Sequence, residues 1–161
     1  MGITIVGIIG ASRASEELEE LAEEVGAEVA RSGAAVVCGG LTGVMEAACR
    51  GARSEGGLTI GIIPSDDRRD ANPHVQVPVV TGMGMSRNIV VVKTADVLIA
   101  VGGEYGTLSE IAYALNMHKK VFSLRSWELQ KARPEGIPNL IHVTEPREAV
   151  RLALESLKDI Q

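Results

Sequence analysis

A chain of 161 residues, 45% hydrophobic and 23% charged, has the length and balance of a single globular domain spanning 1–161, with room for a substantial core. Its formal net charge of −5 excludes nucleic acid as the main partner, because a phosphate backbone requires a basic face. Aromatic residues make up only 2%, so there is no base-stacking platform and the core must be aliphatic.

Cys38 and Cys49 form neither a CxxC pair nor a disulfide framework. Both read as small buried side chains, and a reducing, cytoplasmic setting is expected. The apolar opening MGITIVGIIG is short and reads as a first strand rather than a signal peptide. No stretch approaches a membrane span, so no membrane partner is expected.

Apolar runs alternate with helical patterns along the chain. Ile3 to Ile9 reads as a buried strand, followed by Gly10-Ala11-Ser12. Ser15 to Ser32 predicts a helix, with Leu18, Leu21, Ala22, Val25 and Val29 on one face and Gly33 closing it. Ala34 to Cys38 is a second strand, ending in Gly39-Gly40-Leu41-Thr42-Gly43, and a small-residue helix follows to about Glu55. The strand LTIGII stops at Pro64, and the polar loop SDDRRDANPH precedes VQVPVV, whose Pro78 predicts an edge or irregular position.

TGMGMSRN opens a helix to about Thr94, and DVLIAV is another continuous apolar strand. VGGEYGTLSEI then leads into a helix from Thr107 to Met117, followed by the strand VFSL. An irregular stretch with Trp127, Pro134 and Pro138 leads to LIHV, and a last helix begins at Thr144-Glu145-Pro146.

Strands apolar throughout, alternating with helices, predict a three-layer, doubly wound, Rossmann-like α/β fold. Its mainly parallel sheet is covered by helices on both faces, and the loops after the strands share one rim. That rim collects Gly10–Ser12, Gly39–Gly43, Thr81–Asn88 and Gly102–Thr107.

The first loop, GIIGAS, is not G-x-G-x-x-G, and the second strand ends at Cys38 rather than at an acid. With no Walker A pattern either, a dinucleotide enzyme and a P-loop NTPase are both disfavoured. CGGLTGVMEAACRGA sets glycines and Thr42 before a helix whose free N-terminal amides suit an anion, and GGEYGTLSE repeats the arrangement. Each is equally readable as a tight turn. Thr107 and Glu110 have the T-x-x-E capping-box spacing, which leaves a structural role beside a functional one.

Arg87 stands at a helix start, where the helix dipole disfavours a cation by roughly 0.3–1 kcal/mol. A bound anion or the Glu110 carboxylate would offset this, and a solvated arginine is the alternative. His74, His118 and His142 lack ligand spacing, so no metal site is expected. The acidic 65–74 loop reads as solvated, with a lid over the rim as the sharper alternative.

In order and spacing, CGGLTGVMEAACRGA, TGMGMSRN and DVLIAVGGEYGTLSEIAYAL resemble the LOG-like superfamily, nearest to its molybdenum cofactor carrier-like branch. The resemblance covers the first strand to about Leu124. Enzymatic LOG proteins are phosphoribohydrolases that cleave the N-glycosidic bond of a nucleoside 5′-monophosphate, with a P-G-G-x-G-T-x-x-E loop and an Arg-Lys pair. By this resemblance Glu110 and Arg87 take the catalytic positions.

The resemblance also implies a phosphorylated ligand bound by Gly10, Ser12, Gly39, Gly40, Thr42, Gly43, Met45, Arg87, Asn88, Gly102, Gly103, Gly106 and Thr107. That ligand is a nucleotide such as AMP or the pterin phosphate of molybdenum cofactor. No cofactor is required, and a homodimer or higher homo-oligomer is expected. Three positions depart from the pattern: Gly102 replaces the proline, Glu104 the second glycine, and Asn88 the lysine. The departures argue for holding a ligand rather than cutting it. A structural or regulatory oligomer with no catalytic role is the remaining alternative.

Overall fold

A computed structural model describes residues 2–130 and 136–158. Strand β1 (Ile5–Gly10) is followed by α1 (Glu16–Arg31), β2 (Ala35–Cys38), α2 (Val44–Ser54) and β3 (Thr59–Ile63). The short strand β4 (Val77–Val80) precedes a 3-10 turn at Gly84–Arg87 that runs into α3 (Asn88–Thr94). Then come β5 (Val97–Val101), α4 (Tyr105–Asn116), β6 (Val121–Leu124), β7 (Leu140–Val143) and α5 (Pro146–Lys158). Pro134 of the expected irregular stretch lies outside the described residues.

The strands form one seven-stranded sheet in the order β4-β3-β2-β1-β5-β6-β7, and every pair is parallel. A doubly wound, Rossmann-like fold is what this order and these right-alternating elements make. β5 shows why its strand is apolar throughout. Val97, Ile99 and Val101 join the core under α1, α2 and α5, while Leu98 and Ala100 join the core under α3 and α4. Burial on both faces leaves no position for a polar side chain. β4 lies at the edge, where Pro78 removes no needed ladder donor.

Local signals place the helix ends. Ser15 caps α1, its Oγ accepting from the Leu18 amide at 3.4 Å, and Gly33 takes the left-handed conformation just beyond it (φ 81). α4 differs from expectation. It begins at Tyr105 with Glu104 at the N-cap position, so Thr107 lies inside the first turn and no T-x-x-E capping box forms. The reason is the glycine pair before it. Gly102 (φ 53) and Gly103 (φ 115) turn the chain sharply enough for Leu108 N to reach Glu104 O at 3.0 Å.

α1 and α2 pack backbone against backbone at two glycines. A Cβ on Gly26 would lie 2.0 Å from Ala48 O, and one on Gly51 would lie 1.9 Å from Glu23 O. Either glycine changed to alanine therefore forces the helices apart. Overpacking of about 1–3 kcal/mol outweighs the helix-propensity gain of about 1 kcal/mol. Thermal unfolding should show both variants less stable than the parent, and a neutral or raised midpoint would disprove the close approach. Among the described residues, no helix is long and apolar enough to cross a membrane.

Candidate functional site

Between β1 and β5 the strand order reverses, since β2 continues on one side of β1 and β5 on the other. Connections leave this point in opposite directions and open a crevice at the carboxyl ends of the strands. A cavity of about 190 Å³ lies there. Gly10, Ala11 and Ser12 line it from the loop after β1, and Leu41 and Met45 from the approach to α2. Met85, Arg87 and Asn88 come from the turn into α3, and Glu104, Gly106, Thr107 and Glu110 from the start of α4.

Of the residues expected at a site, Gly10, Ser12, Met45, Arg87, Asn88, Gly106, Thr107 and Glu110 therefore share one cavity. Gly39, Gly40, Thr42, Gly43, Gly102 and Gly103 do not line it. The glycines among them shape the loops behind it. A Cβ on Gly43 would fall 2.4 Å from Ala11 O, and one on Gly39 would fall 2.7 Å from an Arg87 nitrogen. Gly40 N donates to Cys38 Sγ at 3.3 Å, Val44 N to Ala11 O at 3.1 Å, and Thr42 Oγ1 to Ser12 O at 2.8 Å. The loop between β2 and α2 thus spends part of its donor capacity inside the protein.

Arg87 is not solvated, and among the described residues it has no ion-pair partner. It is 6% exposed, and its Nε donates to Ile62 O at 2.7 Å at the end of β3. One terminal nitrogen donates to Gly39 O at 3.1 Å, and the other to Asn88 Oδ1. Those carbonyl dipoles, pointing out of the strand ends, supply the compensation expected from an anion or from Glu110. Burial lowers the guanidinium pKa, with Glu110 opposing the shift, yet an arginine stays protonated in proteins. Its remaining N–H groups are available to the cavity. Asn88 Nδ2 donates to Ser109 Oγ at 3.4 Å and Ser109 Oγ to Gly106 O at 2.6 Å, so Arg87 is tied to the first turn of α4.

Glu110 projects from α4 into the same cavity, is 7% exposed, and has no hydrogen bond or ion pair to another side chain of the described residues. Burial pushes its carboxyl up to about 8, with the Arg87 charge pulling the other way. At neutral pH the carboxyl is mostly protonated. The floor of the cavity therefore carries a cation without an anion beside it, together with the amide ends of a helix. Such a site can take a phosphate. A carboxyl displaced toward neutral pH also has the acid–base character of a catalytic group.

Some of this was hidden in the sequence. Asn72, inside the polar loop, is buried, and its Nδ2 donates to Leu41 O at 2.8 Å while its amide donates to Gly40 O at 2.9 Å. It fastens the 65–74 loop to the turn after β2, and no residue of that loop lines the cavity. Cys38 and Cys49 are buried with sulfurs 3.5 Å apart, and the hydrogen bond from Cys49 lowers the Cys38 pKa. No group of three His, Cys, Asp or Glu side chains among the described residues could hold a metal ion.

Fold and cavity together define a Rossmann-like α/β protein with a cation-floored cavity at the switch point. Comparison with known proteins makes the class specific: residues 3–150 match the SLOG cluster4 family, and the chain belongs to it, within the LOG-like superfamily. The molybdenum cofactor binding protein of Rippkaea orientalis superposes with a TM-score of 0.89 at 33% identity, over 98% of this chain and 99% of that one. The molybdenum cofactor carrier protein of Chlamydomonas reinhardtii superposes at 0.83 with 29% identity, over 97% and 99%. A cytokinin riboside 5′-monophosphate phosphoribohydrolase of Mycobacterium tuberculosis is 30% identical, over 95% of this chain and 94% of its own length.

Proposed function

We propose that this protein binds a phosphorylated small molecule, either a nucleotide such as AMP or a pterin phosphate of the molybdenum cofactor type, in the switch-point cavity. The observation that carries the reading is the buried Arg87 guanidinium, 6% exposed and unpaired by any carboxylate among the described residues, beside the free amides of the first turn of α4. Neutral carbonyl oxygens hold the guanidinium in place without cancelling its charge, and a phosphate would meet its remaining N–H groups with charge-assisted hydrogen bonds. The Rippkaea orientalis and Chlamydomonas reinhardtii relatives bind or carry molybdenum cofactor, which supports a small-molecule ligand of this kind.

Phosphoribohydrolase activity is the second reading, favoured by Glu110 and by the mycobacterial relative. Cleaving an N-glycosidic bond develops positive charge at the anomeric carbon, and an ionised Glu110 next to it would stabilise that charge or deprotonate water. Glu110 would then have to lose its proton. Arg87 would hold the phosphate in either reading.

Incubation with AMP separates the two. Binding by calorimetry without release of adenine is the outcome expected of a carrier. Adenine release that disappears in Glu110→Ala would replace the carrier reading with the hydrolase. Absence of binding by both AMP and molybdenum cofactor would remove the phosphate reading.

Assembly as a homodimer or higher homo-oligomer in the cytoplasm belongs to the same proposal. Exposed Val77, Val79 and Val80 on edge strand β4, with Met83 beyond it, support assembly. Two free thiols support a reducing compartment.

A further inference from the structure

The cavity is graded from floor to mouth. Arg87, Thr107 and Glu110 are buried at its floor, whereas Glu104 is exposed and Met85 is 71% exposed. At about 190 Å³ it is smaller than the pockets of about 300–1,000 Å³ that enclose a whole drug-sized ligand. On the phosphate reading, that volume holds a phosphate and its sugar or side chain, which leaves an attached heterocycle for the mouth. There Met85 and Glu104 receive it.

Met85 reaches across the opening, since a Cβ on Gly106 would lie 3.8 Å from its Cε. Its thioether offers a polarisable, adaptable surface to a planar ring. Glu104 presents a carboxylate with no hydrogen bond or ion pair to another side chain among the described residues. Its backbone is held, because Trp127 Nε1 donates to Glu104 O at 3.2 Å and the Trp127 ring lies 5.9 Å from that of Tyr105. A held backbone and a free acceptor on the cavity lining leave the Glu104 carboxylate open to a ligand's hydrogen-bond donors. A carboxylate repels phosphate, so its place at the mouth suits only a ligand that meets it with hydrogen-bond donors.

Resting on the reading of the cavity as a phosphate site, we propose that Glu104 determines ligand specificity. Its carboxylate accepts paired N–H bonds from a 2-amino-4-oxopyrimidine edge, the edge shared by guanine and pterins, while Met85 lies against the ring. Adenine lacks that donor pair. Hypoxanthine keeps the ring N–H but lacks the amino group.

The test titrates the protein with GMP, IMP, AMP, dihydroneopterin monophosphate and ribose 5-phosphate. Calorimetry and the fluorescence of Trp127, the only tryptophan, report binding. GMP and dihydroneopterin monophosphate should bind about tenfold more tightly than AMP, with IMP between. In Glu104→Gly the advantage over AMP should vanish, while ribose 5-phosphate binds as tightly as in the parent or more so. Equal affinity for GMP and AMP, or a preference that survives in Glu104→Gly, overturns the proposal and leaves the phosphate site standing. Failure of every phosphate ligand, ribose 5-phosphate included, overturns the phosphate reading and this proposal with it.

Discussion

Arg87→Leu is expected to lower stability by about 2–4 kcal/mol, because it leaves the Ile62 and Gly39 carbonyls without their donor in a buried setting. Leucine ends at its δ carbons, so the loss combines unpaired carbonyls with the space the guanidinium filled. Arg87→Lys tests the geometry separately. It keeps the charge, but an ammonium on a flexible stem cannot address carbonyls on two strand ends and Asn88 Oδ1 together. Chemical denaturation should therefore show Arg87→Lys destabilised as well, by less than Arg87→Leu. Phosphate-ligand affinity should collapse in the leucine variant and fall only partly in the lysine variant. A leucine variant as stable as the parent would mean that these carbonyls do not need the guanidinium.

Glu110 gives a second large effect, in pH. Its carboxyl titrates near 8 in the folded protein and near the ordinary carboxylate range when unfolded. Between those values the folded state holds a proton that the unfolded state has released. Stability from this group is therefore complete below the unfolded value and is lost as pH rises through about 8. The expected loss is on the order of a few kcal/mol. Arg87 is the cation facing Glu110, and the Cys38 thiol and the Glu104 carboxylate are the other titratable groups nearby.

Glu110→Gln isolates the contribution of Glu110 itself. Thermal midpoints at pH 5 and pH 9 (conditions of about these values, chosen to bracket the titration) should separate widely in the parent and little in the variant. If the variant keeps the full dependence, another group is responsible. The same titration acts on function. Ionised Glu110 repels phosphate, so ligand affinity should fall as pH rises through about 8, whereas hydrolysis needing a base would speed up over the same range.

Much of the fold was legible because burial on two faces leaves its mark on every residue of a strand. VLIAV in β5 admits no polar side chain, whereas its neighbour β6 admits Ser123 by giving the hydroxyl Trp127 O as an acceptor. Pro78 announced an edge strand, and Ser15 and Gly33 announced the ends of α1. The start of α4 was misplaced for a local reason. T-x-x-E is a capping signal only if the helix begins there, and the turn at Gly102 and Gly103 starts it at Tyr105 instead.

The candidate site was legible by residue type and less so by arrangement. Arg87, Glu110 and Thr107 stood out as chemistry-bearing residues at strand ends, and they do share a cavity. Nothing in Gly39–Gly43 distinguished Leu41, which lines the cavity, from the glycines and Thr42, which do not. That difference depends on Ala11 O and Arg87 lying close behind those glycines. Asn72 read as one polar residue in a polar loop, because its partners Gly40 and Leu41 are distant in sequence.

By itself, then, the sequence determined the elements, the aliphatic core, the parallel sheet and the rim on which chemistry would gather. These follow from periodicity and from local signals at helix ends, which act within a few residues. Tertiary structure alone decided that Arg87 is held by carbonyls rather than by Glu110, that Glu110 is buried enough to keep its proton, and that Glu104 stands at the mouth. Desolvation and hydrogen-bond satisfaction are set by neighbours brought from β2, β3 and α4. No pattern in a single stretch of chain records those neighbours.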